Sequence, residues 1–490
     1  MGRKNPDTQR VSPNEIKSTG VKLEDSTKIS MEGEKQQSKL GRRLLLFSAP
    51  FTGHMNPMLN LATILYSKGF SITIIQAPYF PTNPAHYPHF TFKLLDDEVL
   101  EKYSKSPEID SSVVISAMNR TCEEPFRDCL GQILRETAVA EQDPVVALIA
   151  DPMWAFSGSV AASFNLPKIM LRTGNMSAFL VYCSLTLLNE KGYFPPQDTT
   201  LEEKIPEFPP LKVKDLPSES DRHILQAIVE GTTTSQGVIC NTFEELEDYA
   251  IAKLQQTLTI PIFPLGPLHK HPANSVVNIG SQDQTSIAWL NTQAPKSVLY
   301  VSFGSIAGMN KDEFLELMWG LLDSMVPFLL VIRPKLVKGS EADDPLPEGY
   351  REMMGERGHI VKWASQLEVL SHPAVGGFLT HNGWNSTLES ICEGVPMVCK
   401  PLFADQNMNA RHVSENWKIG LKMERGVKRD EVTRAIRKLM LEEGAEMRSR
   451  ITDLKEKATH CLEEGGSSYK SLERLTKYLL SFETFQAIKE

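Results

Sequence analysis

Two sets of residues in this chain have the types and spacing for chemistry. The larger runs from Trp363 to Gln406 and mixes aromatic, amide, imidazole, hydroxyl and carboxylate groups. It reads Trp363-Ala364-Ser365-Gln366, then Thr380-His381-Asn382-Gly383-Trp384-Asn385-Ser386, then Glu389, Gly394-Val395-Pro396 and Asp405-Gln406. Thr380 to Ser386 runs off an apolar strand into a helix, where free N–H groups and the helix dipole favour an anion. His381, Asn385 and Ser386 add donors at that end, and Gly304-Ser305 at another strand end can supply more. This makes a phosphate cradle without the lysine of a Walker loop. Trp363 offers a flat face for a base, Glu389 can accept two ribose hydroxyls, and Asp405-Gln406 can hold the hydroxyls of a sugar. The smaller set is a pair: His54, in the loop after the first strand, and Asp151, ending a later buried strand. In an open parallel sheet, ligands gather at such carboxyl ends.

The elements that must position these groups alternate along the chain. Leu44–Ser48, Ser71–Ile75, Phe90–Leu94, Val145–Ala150, Lys168–Leu171 and Gly237–Asn241 read as buried strands. Asn56 as cap and Pro57 at the first helical position predict a helix over about 58–68, closed by Gly69. Another helical region is expected between about 111 and 137. A second series begins at Ser297–Ser305 and continues through Phe328–Ile332, His359–Lys362, Gly376–Thr380 and Met397–Lys400. Strands alternating with helices predict two doubly wound parallel units, an α/β fold. At 490 residues the chain exceeds one ordinary core, which agrees with two domains. The expected boundaries are a disordered polar tail over 1–40, a first domain over 41–262, a linker over 263–284, a second domain over 285–464, and a segment over 465–490 whose helix can return to the first. Proline-rich stretches near 193–217 and 260–284 read as an unpacked excursion and the interdomain linker.

Composition narrows the partners. The apolar fraction is 41% and the charged fraction 23%, values of a soluble globular protein. A net charge of −9 argues against nucleic acid and anionic membrane surfaces. No apolar run reaches the ~20 residues of a membrane span, and no signal peptide is recognisable, so a cytoplasmic monomer is the expectation. Seven cysteines without a Cys-x-x-Cys read as free thiols, with Cys392 and Cys399 as packing residues. The first strand–helix loop has Gly53-His54 where a hydride-transfer enzyme carries Gly-x-Gly-x-x-Gly, which argues against a nicotinamide cofactor. No paired carboxylates are arranged for a metal.

Over its 44 positions, Trp363 to Gln406 resembles the plant secondary-product glycosyltransferase box of the UDP-dependent glycosyltransferases, glycosyltransferase family 1. The match is W-x2-Q, L-x-H, F-x-T-H-x-G-W-N-S, E, G-V-P, P and D-Q in register. Leu211–Pro217 and Gly465–Tyr469 resemble the family-76 branch most. The resemblance implies a GT-B fold, with two Rossmann-like domains facing across a cleft. It implies that Trp363 stacks on uracil, Ala364 contacts it through its backbone, and Gln366 and Glu389 hold the ribose. Ser305, His381, Asn385 and Ser386 would bind the diphosphate. Trp384, Asp405 and Gln406 would contact the sugar, joined by Thr173. Gln406 with Trp384 matches the glucose-preferring pattern. His54 would be the base and Asp151 its orienting carboxylate, giving inverting transfer from UDP-glucose to a hydroxyl or carboxyl of a small apolar acceptor, with a β-glucoside as product and no cofactor or metal. The remaining alternatives are another UDP-sugar donor, or a nucleotide-sugar-binding protein without catalysis. Phe51, Met118, Met176, Phe179 and Leu225 are the expected apolar acceptor lining, for a phenolic, terpenoid, hormone or hydroxy-acid.

Overall fold

The chain folds as two parallel sheets, each flanked by helices, as a computed structural model describes it for residues 40–77, 82–95, 111–139, 143–276, 284–306, 308–339, 345–424 and 426–484. The expected tail over 1–40 lies outside these residues except for Leu40. The first sheet contains β1 (Arg43–Phe47), β2 (Ser71–Gln76), β3 (Thr91–Leu94), β4 (Val145–Ala150), β5 (Lys168–Arg172), β6 (Val238–Cys240) and β7 (Ile262–Pro264). Their spatial order is β3-β2-β1-β4-β5-β6-β7. The second contains β8 (Val298–Ser302), β9 (Phe328–Val331), β10 (Gly358–Val361), β11 (Val375–Thr380), β12 (Met397–Cys399) and β13 (Gly420–Lys422), in the order β10-β9-β8-β11-β12-β13. All pairings between these strands are parallel. This is the GT-B arrangement.

In both sheets the direction of strand addition reverses beside the first strand. That leaves a crevice between the exits of β1 and β4, and another between those of β8 and β11. The strands are covered on both faces, so they read as continuous apolar runs: Leu44, Leu45, Leu46 and Phe47 are fully buried. Phe47 stacks on Phe126 at 4.4 Å and Trp154 at 4.5 Å, anchoring the exits of β1 and β4 to one aromatic cluster. The helix Ser467–Leu480 packs Leu472, Leu475 and Leu479 into the core of the first sheet.

Three local expectations differ from the structure. The first helix spans Thr52–Ser67, with Phe51 rather than Asn56 at its cap and Pro57 inside it. A proline there has no N–H for the Gly53 carbonyl four residues earlier, and that carbonyl instead accepts Asn385 Nδ2 at 2.7 Å. The stretch 193–217 is irregular but packed, because Phe194, Ile205, Phe208, Leu211, Val213 and Leu216 enter the core. β7 reaches into the stretch read as linker; Pro264 is tolerated because the strand is at a sheet edge.

A buried ionic cluster joins the halves. Asp215, fully buried in the proline-rich stretch, accepts Arg411 Nε at 2.7 Å, Arg411 NH2 at 3.2 Å and Lys422 Nζ at 2.5 Å. Arg411 also pairs with Glu415 and Glu424. Burial pushes the Asp215 carboxyl up, but the Arg411 hydrogen bond and the Lys422 charge outweigh it and hold it below its ordinary value. Among the described residues no helix is long and apolar enough to cross a membrane.

Candidate functional site

His54 and Asp151 leave adjacent strands, which brings them together across 97 positions of sequence. His54 Nδ1 lies 2.7 Å from Asp151 Oδ2, and the Asp151 side chain is fully buried while His54 keeps 21% exposure. The other Asp151 oxygen accepts Met153 N at 2.9 Å. Both carboxylate oxygens are therefore engaged, and the imidazole has one orientation. Burial pulls the His54 pKa down, but the charge and hydrogen bond of Asp151 outweigh it, and the net shift is upward. Thr173 Oγ1 approaches the same Nδ1 at 3.1 Å. Nδ1–H pointing at Asp151 leaves Nε2 as the proton acceptor.

Opposite this pair, the helix Trp384–Glu393 begins at Gly383 with no side-chain cap, so its first N–H groups are open. His381 stands at this end with Nδ1 buried and without a hydrogen-bond partner among the described residues. Burial and then the Arg333 charge lower its pKa to about 4, so the imidazole is neutral at pH 7. Two glycines make room for the ring. A Cβ on Gly304, whose φ is +69°, would lie 2.7 Å from His381 Cε1, and one on Gly383 would lie 2.6 Å from Nε2. Arg333 Nε donates to the Gly304 carbonyl at 2.8 Å. This cradle of open N–H groups, an unpartnered imidazole and a nearby guanidinium fits a diphosphate.

The other expected donor residues divide. Trp363 is 53% exposed, Ala364 is buried beside it, and Ser305 is exposed after β8. Gln366 Nε2 donates to Ser386 Oγ at 2.9 Å and Glu389 Oε2 at 2.6 Å, so these three form one polar group. Burial raises the Glu389 pKa to about 7 despite the Gln366 hydrogen bond. Gln406 is nearly buried, and its Oε1 accepts Leu402 N at 2.9 Å and Phe403 N at 3.1 Å, leaving its Nε2 for a ligand. Asp405 stands at the start of the same helix, near Gly174 of the first half.

Three of the expected donor-site side chains carry contacts within the protein. The Trp384 indole is 4% exposed and its N–H donates to the Asn241 carbonyl at 2.7 Å, so this side chain braces the two halves. Asn385 uses Nδ2 on the Gly53 carbonyl and Oδ1 on Asn241 Nδ2 at 3.2 Å; its side chain is a clasp, and only its backbone N–H remains for an anion. Thr173 is placed on His54. Of the expected acceptor lining, Met118, Met176 and Phe179 are fully buried and Leu225 nearly so, in the first core. Phe51 alone meets the base, edge-on to His54 at 5.9 Å. Arg333, Asn241 and Arg172 were not among the expected site residues. All three leave strand ends, the one signal in the sequence that marks them.

The family model for UDP-glucoronosyl and UDP-glucosyl transferase matches residues 86–451. UDP-glycosyltransferase 76B1 of Arabidopsis thaliana is 42% identical over 90% of this chain and 98% of its own length. UDP-glycosyltransferase 76G1 of Stevia rebaudiana is 44% identical over 90% of this chain and 97% of its own. The solved structure of Phytolacca americana UGT2, complexed with UDP-2-fluoro-glucose and pterostilbene, superposes with a TM-score of 0.74 at 28% identity. That match covers 89% of this chain and 99% of the other.

Proposed function

Because the chain belongs to the UDP-glucoronosyl and UDP-glucosyl transferase family, in its family-76 branch, it is a UDP-glycosyltransferase, and we propose that it moves glucose from UDP-glucose to a small-molecule hydroxyl with inversion. The observation that carries this reading is the Asn385–Gly53 bond. It ties the open helix end that fits a diphosphate to the residue preceding His54.

In the proposed step the acceptor hydroxyl gives its proton to His54 Nε2 as its oxygen attacks the anomeric carbon. The new C–O bond forms on the face opposite the bond that breaks, and UDP leaves with that electron pair. Asp151 stabilises the imidazolium formed, and the open N–H groups beside His381 meet the charge growing on the β-phosphate. A single displacement of this kind converts an α-linked donor into a β-glucoside. Trp363 takes the uracil, the Gln366–Glu389 group the ribose, and Asp405 with Gln406 Nε2 the sugar hydroxyls. Glucose as the donor sugar is supported by Gln406 and by the glucose analogue bound to Phytolacca americana UGT2. No metal ion has a role in this step as proposed.

The test is turnover of UDP-glucose with a panel of hydroxylated small molecules, with product configuration read by NMR. His54→Ala is expected to lower transfer by about 10²- to 10⁴-fold, the usual contribution of a general base, while UDP still binds in calorimetry. Undiminished transfer by this variant would remove His54 as the base, and an α-glucoside product would remove the single displacement.

A further inference from the structure

Arg172, the last residue of β5, is 5% exposed, and its side chain makes no hydrogen bond or ion pair among the described residues. Its Nε is buried without a partner. Its guanidinium lies over the Phe179 ring at 4.4 Å and faces the Tyr182 ring at 5.9 Å. The guanidinium also acts on the buried Asp405 carboxyl, whose pKa burial raises and the Arg172 charge lowers, but no carboxylate accepts its N–H groups among the described residues, and a ligand carboxylate accepting two parallel N–H bonds would offset more of its desolvation cost. The two rings fix the plane of the fork, so the site is pre-organised for such a ligand.

Its position says which molecule brings the carboxylate. The next residue, Thr173, lies 3.1 Å from His54 Nδ1, which puts Arg172 one residue from a side chain in contact with the base. Asp405 is close as well: a Cβ on Gly174 would lie 3.1 Å from Asp405 Oδ2 and 3.7 Å from Arg172 NH2. A carboxylate can arrive on the acceptor or on the donor sugar, as in a UDP-uronate. The reading above gives Asp405 to the hydroxyls of a neutral donor sugar. The Phe179 and Tyr182 rings belong to the acceptor half.

We propose that Arg172 binds the carboxylate of the acceptor, so that the preferred substrates are hydroxy acids whose hydroxyl is presented to His54. This rests on the glucosyl-transfer reading above. The carboxylate stays bound to Arg172 and does not react. The hydroxyl oxygen forms the bond to the anomeric carbon, its proton goes to His54, and UDP leaves with the electron pair of the broken bond.

The experiment compares matched acceptors, mandelate against mandelamide and 4-hydroxyphenylacetate against its amide, in wild type, Arg172→Gln and Arg172→Lys. The readout is the ratio of kcat/KM for acid over amide with UDP-glucose. Wild type is expected to favour the acids, and Arg172→Gln to reduce that ratio by about 10- to 100-fold, the range for hydrogen bonds to a charged group. Arg172→Lys, which keeps the charge and loses the fork, is expected to fall between them; it also carries the test if the Gln variant does not fold. An acid/amide ratio unchanged in both variants, or wild-type turnover of the amides alone, overturns the proposal and leaves glucosyl transfer standing. A separate arm supplies UDP-glucuronate with 4-hydroxyphenylacetamide; loss of that activity in the variants, with the acid/amide ratio intact, assigns Arg172 to the donor and overturns it too. Failure of wild type to transfer to any of these acceptors, or to a wider panel, overturns both readings together.

Discussion

Replacing Asp151 by Asn changes the charge behind the base and almost nothing else. The new side chain has the same shape, fits the same fully buried site, and can still accept Met153 N. Two consequences follow from the geometry. The carboxylate that accepts His54 Nδ1–H at 2.7 Å becomes neutral, which removes a charge-assisted bond of about 1.5–3 kcal/mol to the imidazolium. His54 keeps 21% exposure, so solvent screens part of that, and about 2 kcal/mol is the working value. In addition, the Thr173 hydroxyl at 3.1 Å and the new amide N–H can both donate to Nδ1. That favours the tautomer with the proton on Nε2, which cannot act as a base. Together these lower kcat/KM by about 10²- to 10³-fold. The pH profile carries a second, independent signature. In the wild type the Asp151 charge overcomes burial and raises the His54 pKa, so activity falls as pH drops through that raised value. Without the charge, burial dominates, and the acid limb of Asp151→Asn moves to lower pH while the plateau drops. Stability runs the other way. A raised His54 pKa contributes stability that is fully present below about pH 6.5, the unfolded value, and is lost as pH rises through the folded value. The variant loses that low-pH contribution. Initial rates of glucosyl transfer from pH 5 to 9 provide the assay; an unmoved acid limb together with a plateau within threefold of wild type would refute the reasoning.

Gly304→Ala places a Cβ 2.7 Å from His381 Cε1 at a backbone φ of +69°, and the imidazole must move; UDP affinity in calorimetry is expected to fall about tenfold or more, with unchanged affinity counting against the diphosphate cradle. Asp215→Asn leaves Arg411 and Lys422 buried without their shared counter-charge. Removing one partner of a buried pair costs roughly 3–5 kcal/mol, and Glu415 and Glu424 still hold Arg411, so a loss nearer 3 kcal/mol is expected in urea unfolding. Because the Asp215 pKa is lowered, its contribution is present above the unfolded value near pH 3.8 and disappears as pH falls through the folded one. The difference between wild type and variant should therefore be flat at neutral pH and close only in strong acid.

Much of the architecture was legible because buried parallel strands are written as short apolar runs. Leu44–Phe47, Val145–Ala150 and Val298–Ser302 fall where those runs lie. Other elements were missed for physical reasons. β13 is three residues long, and the helix Arg429–Arg437 is so strongly charged that only its buried stripe of Val432, Ala435 and Ile436 marks it. The first helix was expected to begin at Pro57 because proline favours that position. It begins at Thr52 because a partner from the distant half takes the carbonyl that Pro57 leaves without a helical donor.

The sequence by itself determined which residues stand at strand exits: His54, Asp151, Arg172, Ser305, His381 and the Asp405-Gln406 pair. Exit position depends on local hydrophobic runs and helix starts, which are short-range properties. Only the tertiary structure decided how each polar atom is used. Trp384, Asn385 and Thr173 look like ligand contacts in the linear pattern, and the structure gives their polar groups to Asn241, Gly53 and His54, from 119 to 332 positions away. His381 Nδ1 and Arg172 Nε, by contrast, are buried without a hydrogen-bonding partner among the described residues. A buried polar group must be satisfied by something, and whether the protein or the substrate does so is settled by which strand ends the fold brings across the cleft.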